Sequence, residues 1–122
     1  MERSQSVCAI PEIALYVLSL GLGNFVIPLP LDSANAVRMI EKHQVTPSVI
    51  HVDGAHDFDA ALSDLRRWWP LLAPGGYLIC DDYDEKKVIW PAVQRAVEVF
   101  LAATPHANFE ATPDKCRFQK PT

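Results

Sequence analysis

Apolar residues recur along this chain with helical and strand spacing in turn, and the alternation predicts its elements. Pro11 stands at a first-turn position and opens a helix through Ile13, Leu15, Val17 and Leu20, after which Gly21 occupies the place of a left-handed cap. Phe25 to Leu29 is a short apolar run leaving through Pro28 and Pro30, which reads as a strand with a stiffened exit. Asp32 and Ser33 offer an N-cap to a helix over Ala34 to His43, with Val37 and Ile40 on its inner side. Thr46 and Pro47 break it.

Val49 to Asp53 then reads as a strand with a polar last residue, followed by Gly54. Asp57 caps a helix whose apolar positions Phe58, Leu62, Leu65 and Trp69 keep helical spacing. Pro74, Gly75 and Gly76 turn the chain into a strand over Tyr77 to Asp81. The polar loop Asp82 to Lys87 leads to a helix opened by Pro91, with Val93, Val97, Phe100 and Leu101 facing inward. Asn108 to Ala111 and Cys116 to Gln119 form a closing hairpin around Pro113 and Asp114. Helices alternating with strands predict an α/β fold, a mainly parallel sheet with helices on its faces. In such sheets ligands bind beyond the carboxyl ends of the strands.

Composition narrows the partners. The chain has 122 residues, room for one domain, and 49% of them are apolar against 21% charged. Eleven basic against fifteen acidic residues give a formal charge of −4. The basic residues are scattered, Arg66-Arg67 and Lys86-Lys87 being only pairs, so no nucleic-acid partner is expected. The apolar stretch Ile13 to Leu31 is interrupted by Gly21, Gly23, Asn24, Pro28 and Pro30, which argues against a membrane span or leader. Cys8, Cys80 and Cys116 are odd in number and form no CxxC, as expected of reduced thiols in the cytoplasm.

The strand ends carry the candidate chemistry. Asp32 and Ser33 follow the first strand, Asp53, Gly54, Ala55 and His56 the second, and Asp81, Asp82 and Tyr83 the third. Asp57 reads as a helix cap, and Asp32 reads equally as a cap or a site residue. Carboxylates gathered along one sheet edge repel one another unless a cation or donors stand among them. An all-oxygen set suits Mg²⁺ or Mn²⁺. His51 points to the other side of its strand and reads as structural. Trp68, Trp69 and Trp90 read as core or sheet-covering aromatics, with substrate stacking an alternative for Trp90.

These residues carry a resemblance. VIHVDGAH over 49–56, Asp64, WWPLLAPGG over 68–76, DDY over 81–83 and WPAV over 90–93 resemble class I S-adenosylmethionine-dependent methyltransferases. More narrowly, they are similar to the metal-dependent O-methyltransferase branch acting on macrolide and antibiotic sugars. The resemblance implies a Rossmann-like fold, with S-adenosylmethionine and Mg²⁺ or Mn²⁺ as cofactors. It implies that Asp53, Asp81 and Asp82 bind the metal and that His56 deprotonates the hydroxyl of a small-molecule substrate. It places Asp32, Ser33 and Asp53 beside the methyl donor.

That family begins with a strand and a glycine-rich loop holding the methionine part of the cofactor, and then a second strand whose acidic end holds the ribose. Gly21-Leu22-Gly23 follows a helix and lacks the third glycine, so it is not that loop. Residues 1–122 are therefore expected to be a truncated methyltransferase domain, with weak cofactor binding of its own. The expectation is a fragment of a longer enzyme, or a chain whose missing half another chain supplies, and an exposed strand edge would invite a homo-oligomer. The alternative is a non-catalytic remnant acting as a binding or interaction module.

Overall fold

The computed structural model describes residues 12–84, 86 and 89–122. They belong to two compact units, Met1–Asp32 and Ser33–Thr122. Pro11 and Cys8 lie outside the described residues.

In the first unit, residues 12–19 are helical (α1). Gly21, at φ 69°, ends the helix as expected. Its N–H donates to the Leu18 carbonyl and the Leu22 N–H to that of Val17, both at 3.0 Å, so two carbonyls left over at the helix end find donors. The expected strand at Phe25 to Leu29 does not form. The N–H groups of Phe25 and Val26 both donate to the Leu22 carbonyl, at 2.9 and 3.0 Å, and wrap the chain into a turn. Pro28 and Pro30 then withhold two donors that a ladder would need, and residues 26–30 are irregular. Among the described residues no helix is long and apolar enough to cross a membrane.

The second unit runs α2 (Ser33–Lys42), β1 (Val49–Val52), α3 (Phe58–Trp68), a 3₁₀ turn (Trp69–Leu71), β2 (Tyr77–Asp81), α4 (Pro91–Ala102), β3 (Ala107–Ala111) and β4 (Lys115–Gln119). Each element expected from sequence here is present, with ends shifted by a residue or so. The sheet order is β1-β2-β4-β3. Only β1 and β2 pair in parallel, Val49 opposite Tyr77 and Val52 opposite Cys80. The β2–β4 and β4–β3 pairings are antiparallel. With residues 25–29 outside the sheet, one ladder of three is parallel and β1 is an edge.

Period-two alternation sends Leu78 and Cys80 of β2 and Cys116 and Phe118 of β4 into one core, where they meet Leu65 of α3 and Ala96, Val97 and Phe100 of α4. Trp69 packs edge-on to Phe100, ring centroids 5.7 Å apart, and tilted against Phe118 at 5.4 Å. Two further details align the strands. A Cβ at Gly76 would stand 2.7 Å from the Ser48 carbonyl and 2.9 Å from that of Ala73, so only glycine lets the turn approach so closely. The ammonium group of Lys120 donates to the carbonyls of Trp69, Pro70 and Leu72, at 3.2, 3.3 and 2.9 Å, and ties the end of β4 to the 3₁₀ turn.

Candidate functional site

The site lies beyond the carboxyl ends of β1 and β2. After β1, residues 53–57 form a short loop ended by Asp57, whose carboxylate accepts the Ala60 N–H at 3.0 Å and caps α3. After β2, Asp82 takes a positive φ of 61°, a conformation that aspartate tolerates better than most residues. Its N–H donates to Asp81 Oδ1 at 2.9 Å. This turn directs the two adjacent carboxylates to different partners.

Asp82 Oδ2 lies 2.6 Å from His56 Nε2. The His56 ring stacks on Trp90, centroids 3.6 Å apart and planes within 14°. The imidazole is thus fixed at one edge by a carboxylate and across one face by an indole. Asp81 Oδ2 lies 3.5 Å from His51 Nε2, and its Oδ1 lies 3.7 Å from Lys115 Nζ, on the residue opposite it in the β2–β4 ladder. His51, expected to be structural, is therefore a neighbour of the acidic pair.

Two hollows flank Gly54. The larger, about 430 Å³, is bounded by Ser33, Asp53, Asp64, His51 and Trp68 together with apolar residues of α2 and β1. That volume is in the range of small-molecule sites. The smaller, about 10 Å³, is lined by Gly54, His56, Asp64, Asp81 and Asp82 and has room for one water or ion. Of the residues expected from sequence, His56, Asp81 and Asp82 thus share the small hollow, and Ser33 and Asp53 the larger one. Asp32 is exposed at the end of the first unit.

Among the described residues no three His, Cys, Asp or Glu side chains converge closely enough to hold a metal ion. The donor set nevertheless suits a hard cation. The carboxylates of Asp64, Asp81 and Asp82 line the small hollow, and carboxylate oxygens are the donors such an ion takes.

Two placements were not expected from sequence, that of Trp90 over His56 and that of Asp64 at both hollows. Trp90 covers His56 rather than the core. Asp64 was visible in the pattern, since it follows Ala61 by three residues and precedes Trp68 by four. An acid on the inward stripe of an amphipathic helix is the signal that would have found it.

A family model for a methyltransferase domain matches residues 5–83. No curated protein matches the chain. The solved structure of the O-methyltransferase NovP is 24% identical over 62% of this chain and 30% of its own, with a TM-score of 0.47. The MycE methyltransferase from the mycinamycin biosynthetic pathway, in complex with Mg, SAH and mycinamycin VI, is 14% identical over 74% of this chain and 29% of its own, with a TM-score of 0.54. The likeness to MycE is one of fold. The chain spans about three tenths of the length of these solved structures.

Proposed function

This chain belongs to the methyltransferase-domain family, and from that premise we propose that it serves S-adenosylmethionine-dependent methyl transfer to a hydroxyl oxygen of a small molecule, with His56 as the base. The observation that carries this reading is the His56–Asp82 contact of 2.6 Å under the Trp90 ring. With the Nε2 proton donated to Asp82, Nδ1 is left as the acceptor, and imidazole is the side chain suited to accept a proton near neutral pH. Asp82 fixes the tautomer and balances the charge that forms on the ring. Trp90 holds the plane of the ring so that the accepting nitrogen does not swing away.

The cofactor supplies an electrophilic methyl group, and Ser33 and Asp53 would face it from the larger hollow. A divalent cation, when bound, makes a neighbouring hydroxyl more acidic. Asp53, Asp81 and Asp82 would hold it. MycE, whose fold this chain shares, is in complex with both Mg and SAH. The chain's own contribution is then to orient the base, receive the proton at His56 and present carboxylate oxygens beside the reacting hydroxyl.

The test is transfer of labelled methyl from S-adenosylmethionine to a panel of sugar diols and catechols, comparing wild type with His56→Ala. A general base contributes about 10²- to 10⁴-fold, so the variant should lose that much in rate. Equal rates in the two proteins would refute the assignment of His56.

A further inference from the structure

We propose that Asp84 is a positioning residue for His56, the carboxylate that holds Trp90 in place over the imidazole ring. The inference rests on the assignment of His56 as the base and adds the residue that keeps its stacking partner there. Both groups that fix the His56 ring come from one stretch of chain, Asp82 at its start and Trp90 at its end. The start is anchored by packing, since Tyr83 is buried and meets the Phe109 ring edge-on, centroids 6.0 Å apart. The end is not. Ile89 is 67% exposed and Trp90 37%, so burial does not decide where the indole lies.

Polar contacts do. Asp84 Oδ1 accepts the Lys86 N–H at 2.9 Å and Oδ2 accepts the Ile89 N–H at 3.3 Å. One carboxylate thus gathers two backbone donors, the second on the residue next to Trp90, and an ionised acceptor binds such donors more strongly than a neutral one. On its other side Trp90 is fixed by α4. Its carbonyl accepts the Val93 and Gln94 N–H groups at 3.2 and 3.4 Å, and Pro91 narrows the conformations open to the residue before it. The backbone at Trp90 is held from both sides, and the Asp84 side can be released without altering His56, Asp82 or Trp90. With that carboxylate gone, the Ile89 N–H turns to water and the chain entering α4 relaxes, taking the indole off the ring. The imidazole then keeps its Asp82 contact at one edge but loses the surface that holds its plane. Its accepting nitrogen meets the substrate hydroxyl in the productive orientation for less of the time.

The experiment reads the His56 ring protons by NMR at about pH 8, above the ordinary imidazole range. It compares wild type, Asp84→Asn, Asp84→Ala and Trp90→Leu, with His56→Ala to assign the signals and thermal melting to check folding. Protons stacked on an indole resonate upfield, a signature that a loss of stability alone does not move. Trp90→Leu should abolish the upfield displacement. Asp84→Ala should lose most of it, and Asp84→Asn, which keeps one acceptor oxygen, should lose less. Methyl transfer should follow, with kcat about tenfold lower in Asp84→Ala and KM little changed. An undiminished displacement in Asp84→Ala, whatever its melting temperature, would overturn the role of Asp84 and leave His56 as the base. So would wild-type kcat in Asp84→Ala where His56→Ala is impaired. Equal displacement in wild type and Trp90→Leu would overturn the stack and the role of Asp84 with it. Wild-type transfer by His56→Ala would instead overturn the base, and with it the premise that Asp84 serves one.

Discussion

The two units of this chain are both rich in apolar residues and dispose of them in opposite ways. In the first, Leu15, Tyr16, Phe25 and Ile27 are all exposed, the last two by about 80%. In the second, Leu65, Leu78, Ala96 and Phe118 are fully buried. Pattern makes the difference. Residues 13–18 are apolar without a break, so α1 has no polar side to oppose an apolar one. The α3 sequence FDAALSDLRRW alternates the two at helical spacing, and YLICD in β2 shows alternating burial. Apolar content alone does not make a core. The second unit is also the one whose strand ends bring His56, Asp81 and Asp82 together, and the packed face behind them gives that grouping its rigidity.

The same substitution made in both units sharpens this comparison most. Phe118→Ala removes a fully buried ring that meets Trp69 and Phe100, and should destabilise the second unit by about 3–5 kcal/mol. Phe25→Ala removes a ring already in solvent, and should stay within about 0.5 kcal/mol of wild type. Urea unfolding of the two variants measures both. Similar losses would mean that Phe25 is buried in solution and that the contrast between the units is false.

The sequence was legible where one rule acted alone. The Asp57 cap, the Gly21 helix end, the span of β2 and the opening of α4 at Pro91 each follow from a single local preference, and the structure has them. Phe25 to Leu29 misled because an apolar run is also what an exposed turn running into prolines looks like; strand formation needs a neighbour with free ladder groups, and sequence does not show one. In the site, the DGAH and DDY segments located the loops, but not which acid meets which base. That depends on the left-handed turn at Asp82, which separates two adjacent carboxylates by direction rather than by position. Trp90 lies 34 residues beyond His56 in sequence, and no spacing rule connects them.

Glycine substitution separates the units by a smaller margin. Gly76→Ala would press a methyl group against the Leu72 side chain and against two backbone carbonyls, which cannot retreat without moving the β2 entry. A loss of about 1–3 kcal/mol is expected, in the range of overpacked cores. Gly21 has nothing within 4 Å of its would-be Cβ, so Gly21→Ala meets only the strain of its positive φ, roughly 1 kcal/mol. Melting of the two variants should therefore rank Gly76→Ala as the worse. The reverse order would show that backbone conformation, and not close approach, governs the turn at Gly76.

The smallest effect concerns the closed core as a place for an ionisable group. Cys116 is 2% exposed and stands opposite Cys80 in the β2–β4 ladder, both as free thiols. Hydrogen bonding to Cys80, and then burial, push the Cys116 thiol far above its ordinary value. A thiol in the unfolded chain ionises near pH 8.5. Because the folded value is the higher of the two, the unfolded state holds fewer protons above that pH. The contribution of Cys116 to stability is thus whole below about pH 8.5 and declines as pH rises, approaching about 1.4 kcal/mol per further pH unit. Denaturant unfolding at pH 7.5 and 9.5 should show this decline in wild type, and Cys116→Ala should show a shallower one from a lower starting stability. Below pH 8.5 the folded protein should also leave Cys116 unlabelled by iodoacetamide while an exposed thiol peptide reacts. Labelling of Cys116 at a rate near that of the peptide would mean that the core opens easily, and would erase the contrast between the two units at the point where it is drawn most sharply.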